Sequence, residues 1–269
     1  MMLTRRHFIR GAAATAMVAT SGTLLYSVGP GRHALESNTV RLKLGLNQPL
    51  RLVALGDIHF DPLYEGDYLA VVMKAVSALQ PDLVVYTGDF VTNRRDMLDY
   101  LGEMLMRPAP RLGCFAVLGN HDHWAGADKV MRPLEHRGLR FLCNESFALP
   151  GEEDVYLTGL DSFWAGTPDL GIFGQTPETA RHVLVVHEPD PFATLLDPRI
   201  KLQISGHTHG GQVRLPLAGA IVLPKWGRHY DAGLFQDGDR RLYVNRGIGT
   251  LRPHVRFDCP PEITLFELT

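Results

Sequence analysis

Five short apolar runs in this chain each stop on residues able to hold a metal ion, and this constrains the fold more than any other feature. Arg51 to Gly56 stops at Asp57-Ile58-His59, and Leu83 to Thr87 stops at Gly88-Asp89. Cys114 to Leu118 leads into Gly119-Asn120-His121-Asp122. Val183 to Val186 ends at His187, and Ile204-Ser205-Gly206 leads into His207-Thr208-His209. Runs of this length and composition read as buried strands. Helical periodicity lies between the early ones, over Asp67 to Leu79 and Met97 to Met106, each closed by a nearby proline. Strands alternating with helices make an α/β chain with much parallel or mixed sheet. In such sheets the functional crevice lies outside the carboxyl ends of the strands, so these groups can meet although they are far apart in sequence.

Taken singly, each signal is weak, because a lone histidine at a strand end is most often structural. Five in one chain are a different matter, and glycines recur beside them at Gly56, Gly88, Gly119, Gly206, Gly210 and Gly211. Further extended segments are predicted at Val155 to Leu160, Leu242 to Asn245 and Ile263 to Glu267. No linker or composition break follows residue 40, so residues 35–269 are expected to form one domain with two packed sheets. With 45% hydrophobic and 21% charged residues, the chain is neither disordered nor fibrous. A net charge of -2 argues against a dedicated nucleic-acid binder. Three cysteines are too few for a disulfide scaffold or a cysteine zinc site; either Cys114 pairs with Cys143 or the thiols stay reduced. Twelve histidines remain to be accounted for.

Residues 1–34 read as an export segment. Thr4 to Arg10 is basic, Gly11 to Val28 is weakly apolar, and Gly29-Pro30-Gly31 breaks the run. Arg5-Arg6 followed by Phe8-Ile9 resembles a twin-arginine signal, with cleavage or retention as an anchor both open. The implied partner is the twin-arginine export machinery, and the implied location is the periplasm or cell envelope. The segment's four arginines leave 23 of the 27 basic residues against 29 acidic ones, so the remainder carries -6.

In order, the segments D-x-H, GD, GNHD, H and GHTH resemble the pattern of the calcineurin-like metallophosphoesterases, across roughly Leu50 to Thr269. The resemblance implies a four-layer α/β/β/α sandwich, two mixed sheets flanked by helices, that holds two divalent metal ions. One ion would be held by Asp57, His59, Asp89 and His209. The other would be held by Asp89, Asn120, His187 and His207, with Asp89 shared. Imidazole, carboxylate and amide oxygen without thiolate suit Mn, Fe, Zn or Co. A metal pair can clamp the attacking and leaving oxygens of a displacement at phosphorus and supply hydroxide at neutral pH. His121 resembles the family histidine that stabilises the transition state and protonates the leaving oxygen. Asp122, next in sequence, is expected to fix its tautomer and orientation.

Gly210 to Pro216, Gly227-Arg228-His229-Tyr230, Asn245 to Thr250 and Arg256 to Ile263 look like the exported YkuE/YaeI-type phosphodiesterase branch, itself similar to UDP-2,3-diacylglucosamine pyrophosphatases. The implied activity is hydrolysis of phosphodiester, or phosphomonoester, bonds in an envelope or lipid-linked substrate. Two alternatives stay open: the pyrophosphatase step of lipid A synthesis, and a non-catalytic envelope binding protein on the same fold. The complete ligand set weighs against the second. Arg246, in a glycine-flanked loop, is the expected contact to substrate phosphate. Seven Lys/Arg between Lys225 and Arg256 oppose three Asp, and they either face an anionic lipid surface or form an ordinary solvated face. Phe163, Trp164 and Trp226 read as core before they read as contacts to lipid or a base. His136, His182 and His254 read as surface or structural, while His123, Trp124 and His229 either line the cleft or sit on exposed loops.

Overall fold

The computed structural model describes residues 25–63, 66–152 and 154–269. The basic arm of the expected export segment and most of its apolar run lie outside the described residues. Among the described residues, no helix is long and apolar enough to cross a membrane.

The chain lays down β1 (Glu36–Leu42), β2 (Leu50–Leu55), α1 (Gly66–Ala78), β3 (Leu83–Tyr86), α2 (Leu98–Leu105), β4 (Cys114–Ala116), α3 (Asn120–Ala125), α4 (Ala127–His136) and β5 (Arg140–Phe141). It continues through β6 (Glu145–Ala148), β7 (Val155–Gly159), β8 (Arg181–Val185), β9 (Ile200–Ser205), the small hairpin β10 (Arg214–Leu215) and β11 (Gly219–Ala220), then β12 (Gly233–Asp237), β13 (Arg240–Val244) and β14 (Glu262–Leu268). One sheet has the order β1-β14-β2-β3-β4-β5, the other β12-β13-β9-β8-β7-β6. Both are mixed. Their central strands β2, β3 and β4, and β7, β8, β9 and β13, run parallel, so several carboxyl ends share one edge of each sheet.

Alternation along the strands explains the layers. Leu52, Ala54, Leu83, Val85 and Phe115 point from the first sheet into a core shared with Leu157, Val183, Val185, Leu202 and Ile204 of the second. The intervening Val53, Leu55, Val84 and Tyr86 point the other way, onto Leu69, Val72 and Met73 of α1 and Leu101 and Leu105 of α2. The Tyr86 hydroxyl donates to the Leu105 carbonyl at 2.6 Å and ties α2 to the sheet. The outer face of the second sheet is closed differently. Leu184, Val186 and Ile200 pack under Ile172 and Phe173 of a 3-10 turn, and Leu242 and Val244 pack under Phe192 of another. The expected two mixed sheets flanked by helices are thus present, with the fourth layer supplied by short 3-10 helices. Cys114, Cys143 and Cys259 are free thiols.

Candidate metal centre

The strand ends converge. Asp57 and His59 follow β2, Asp89 follows β3, Asn120 opens α3 after β4, His187 follows β8, and His207 and His209 follow β9. None of the seven is more than 5% exposed. Asp57, His59 and His209 bring ligand atoms within 4.8 Å of one another, as do Asp89, His187 and His207. Asp89 Oδ2 lies 3.3 Å from both His59 Nε2 and His187 Nε2, so one carboxylate joins the two groups.

The donor set fits metal ions on its own chemistry. His187 Nδ1 donates to the Thr87 carbonyl at 2.7 Å, and His207 Nε2 donates to the Lys225 carbonyl at 2.7 Å. A carbonyl can only accept, so each ring's other nitrogen carries the lone pair when the ring is neutral. Those nitrogens, His187 Nε2 and His207 Nδ1, face each other at 3.2 Å, and His59 Nε2 faces His209 Nε2 at 3.1 Å. The opposed lone pairs of neutral His187 and His207 suit a cation between or beside them, and the second imidazole pair is brought equally close. The Asn120 Oδ1 is buried with no partner, as a ligand oxygen would be.

The backbone is bent to achieve this. Asp57, His59, Asp89, His207 and His209 all have positive φ, between 43° and 73°, which non-glycine residues rarely adopt. Two glycines admit the close approaches. A Cβ on Gly119 would stand 2.1 Å from Asp89 Oδ1, and one on Gly206 would stand 2.3 Å from Asp57 Oδ2. Mutual fields follow the packing. Burial pushes the Asp57 carboxyl up to about 6 against the nearby imidazoles. Burial likewise acts to raise Asp89, but His187 and His59 hold it well below the usual carboxylate range. Burial and His187 bring His207 down to about 4.

His121 stands beside the cluster, its ring edge-on to His59 with centroids 4.9 Å apart. Its Nδ1 donates to the Thr92 carbonyl at 3.2 Å, while its backbone N–H donates to Asp89 Oδ1 at 2.9 Å. The expected role of Asp122 is corrected. Asp122 does not orient His121. Its Oδ2 accepts the amides of Asp89 (2.8 Å) and Gly119 (3.0 Å), and its Oδ1 accepts those of Phe90 (2.9 Å) and Val91 (3.3 Å). The tautomer of His121 is set by Thr92, whose hydroxyl also meets His59 Nδ1 at 3.1 Å. No sequence signal marked Thr92.

Arg246 is corrected too. Its guanidinium pairs with Glu262 at 2.6 Å and Glu36 at 2.8 Å, so it fastens the chain end to β1 and is not free for substrate phosphate. The basic stretch it belongs to is also partly inward. Arg240 is buried, with its guanidinium on the Phe192 and Leu195 carbonyls and on Asp237. Arg256 is buried and donates to the carbonyls of Cys259, Arg246, Gly247 and Gly249.

An aromatic wall flanks the cluster. Trp124 is edge-on to His121 (4.9 Å) and to Trp164 (5.1 Å), and Trp164 is edge-on to His207 (5.6 Å). His123 Nε2 pairs with Asp161 at 2.6 Å, which fixes α3 to the loop carrying Trp164. Glu188, buried directly after His187, accepts the Ser162 hydroxyl at 2.5 Å and the Phe163 amide at 2.9 Å. A charged residue following a buried strand was the available signal for Glu188. Asp161 had none. His182 is buried between the Thr158 and Thr176 hydroxyls and is structural.

Residues 50–211 match the family model described as calcineurin-like phosphoesterase. The metallophosphoesterase YkuE of Bacillus subtilis (strain 168) is 30% identical over 279 residues, covering 99% of this chain and 98% of that protein. The phosphodiesterase YaeI of Escherichia coli (strain K12) is 29% identical over 282 residues, covering 99% of this chain and all (100%) of that one. The UDP-2,3-diacylglucosamine pyrophosphatase LpxG of Chlamydia trachomatis is 28% identical over 300 residues, with 87% of this chain and 90% of that protein covered. With two buried imidazole–carboxylate groups joined at Asp89, the chain belongs to the calcineurin-like phosphoesterase family of metal-dependent phosphoric ester hydrolases.

Proposed function

We propose that the chain is a dinuclear phosphodiesterase acting on an envelope or lipid-linked substrate. The observation that carries this reading is the pair of buried ligand groups joined at Asp89, with His121 beside them. Asp57, His59, Asp89 and His209 would hold one divalent ion, and Asp89, Asn120, His187 and His207 the second. Ions of the Mn, Fe, Zn or Co class bound there supply Lewis acidity at a phosphoryl oxygen and a nucleophile at neutral pH. The chain's own residues do the rest. His187, His207 and His59 are locked in orientation through their outer nitrogens, so the donor set is preorganised. His121, held at Nδ1 by Thr92, keeps Nε2 to hold or deliver a proton at the leaving oxygen. Trp124 and Trp164 line this side of the cluster through edge-on ring contacts.

The phosphodiester reading is supported by the similarity to YaeI over nearly the full length of both chains. A second reading, cleavage of the pyrophosphate of UDP-2,3-diacylglucosamine, is favoured by the similarity to LpxG. Export through a twin-arginine-type signal to the envelope is part of the proposal and is supported by Arg5-Arg6-His7-Phe8-Ile9. The test is hydrolysis of bis-p-nitrophenyl phosphate by the manganese-loaded protein, compared with Asp89→Asn and with UDP-2,3-diacylglucosamine as a parallel substrate. Diester turnover that Asp89→Asn abolishes is expected. Turnover of the nucleotide lipid alone would replace the first reading by the second, and turnover of neither would leave a binding protein.

A further inference from the structure

Two grooves leave the metal centre, and they differ in chemistry. On the His59 side is a groove of about 560 Å³ with a mixed lining, in which Asp61, Asn93, Arg94 and His254 stand beside Phe60 and Leu63. On the side of His207 and His209 is one of about 480 Å³, walled mainly by Val213, Ile221, Val222, Pro224, Pro253 and Val255. Leu251 and the exposed Arg252 border both. The lip of the second groove is itself apolar and open to solvent: Ile221 is 57% and Val222 71% exposed.

We propose that the apolar groove receives the hydrocarbon chain of a lipid phosphodiester whose phosphate lies at the metal centre and whose polar head enters the other groove. This rests on the phosphodiesterase reading and names its substrate class. A phosphodiester carries two substituents, and the centre offers two grooves, of which the first brings charged and amide side chains to its wall and the second is almost wholly apolar. A sugar or nucleotide base placed against the Val213, Val222 and Val255 wall would lose hydrogen bonds to water without replacement, whereas a hydrocarbon chain gains there. The groove is continuous with the reacting centre, since two of the ligand histidines form part of its wall. That continuity favours a substrate chain over a separate partner. Its apolar lip, with the exposed Arg252 on the wall and the exposed Lys225 directly after the wall residue Pro224, suits a site that draws an amphiphile from an anionic surface.

The test uses the full chain loaded with manganese. Ethyl and octyl p-nitrophenyl phosphodiesters are compared as substrates below their aggregation concentrations, and ethyl- and octylphosphonate are compared as ligands by calorimetry. The octyl compounds are expected to be favoured at least about tenfold in both kcat/KM and dissociation constant. Ile221→Asp and Val222→Asp, at exposed positions that folding tolerates, should bring both preferences down to about twofold or less. Equal handling of ethyl and octyl compounds would overturn the proposal, and so would a preference that both substitutions leave intact. Concentration-dependent self-association that Val222→Asp abolishes, without any chain-length preference, would assign the groove to a second copy of the chain and also overturn it. If neither diester is turned over but octylphosphonate still binds more tightly, the phosphodiesterase reading fails while the groove assignment stands.

Discussion

Asp122→Asn separates two roles that adjacency in sequence confuses. The Asp122 carboxylate is fully buried and accepts four backbone amides, two on each oxygen. An asparagine in the same rotamer has one oxygen and one NH2. Whichever way it turns, the NH2 faces two amide donors, either Asp89 and Gly119 or Phe90 and Val91. Each buried donor left without an acceptor costs about 1–3 kcal/mol, so the pair costs roughly 2–6 kcal/mol. The Phe90 and Val91 side contains the longest of the four bonds, at 3.3 Å, so the amide should settle there and the cost should fall near the lower end, about 3 kcal/mol. With metals chelated, so that ion binding does not add to apparent stability, this should lower the urea midpoint by about 1 M at a slope of ~3 kcal/mol/M. Metal affinity should fall as well, because the Asp89 turn is what the amides hold. If Asp122 acted through His121 instead, the variant would unfold at the wild-type midpoint, bind metal normally and lose only turnover. That outcome would refute the anchoring argument.

Two further substitutions test the neighbouring assignments. His121→Ala removes a side chain that Thr92 holds beside the cluster but leaves the seven candidate ligands and their hydrogen bonds in place, so metal content should persist while diester turnover drops by about 10²–10⁴-fold. Metal analysis alongside kcat checks this, and near-normal turnover would remove His121 from the chemistry. Arg246→Ala strips the partner from the buried Glu262 and should destabilise the fold by about 3 kcal/mol, with KM for a diester changed less than about twofold. A stable variant with a strongly raised KM would restore Arg246 as a phosphate contact.

The pattern of success follows from how the fold uses sequence. The seven candidate ligands were legible as a set because each sits within four residues of the end of a buried strand, and parallel strands deliver their carboxyl ends to one edge. The pairing of Asp122 with His121 misled for the opposite reason. They fall on α3, where successive side chains diverge by about 100°, so neighbours in sequence face different surroundings. His121 turns to the cluster and Asp122 to the 89–91 turn. Arg246 misled because its glycine-flanked loop suggested an open cradle, while Glu36, one of the two carboxylates that pair with it, lies 210 positions away in sequence. Strand β1 escaped notice because its residues alternate between half-buried and exposed and never form an apolar run. Helix α4 escaped because only Val130 and Leu134 of its ten residues are buried and Pro133 interrupts its pattern.

What no single segment could show is how the bent ligand backbones are held. Five ligand residues sit at positive φ, each a local cost of about 1–3 kcal/mol. The compensation comes from bonds between ligand loops. The Asp57 amide donates to the Gly88 carbonyl at 2.9 Å and the His59 amide to the Asp89 carbonyl at 3.0 Å, which ties the first loop to the second. The His207 amide donates to the Asp57 carboxylate at 2.9 Å, which ties the fifth loop to the first, and so joins the two sheets. The His121 amide and the Asp122 carboxylate fasten the third loop onto the second. Strain at any one ligand is thus opposed by hydrogen bonds from loops distant in sequence, so the geometry depends on both sheets being docked. The cluster is therefore a property of the assembled sandwich, and a change that loosens the contact between the sheets should reach the metal centre before it unfolds either sheet.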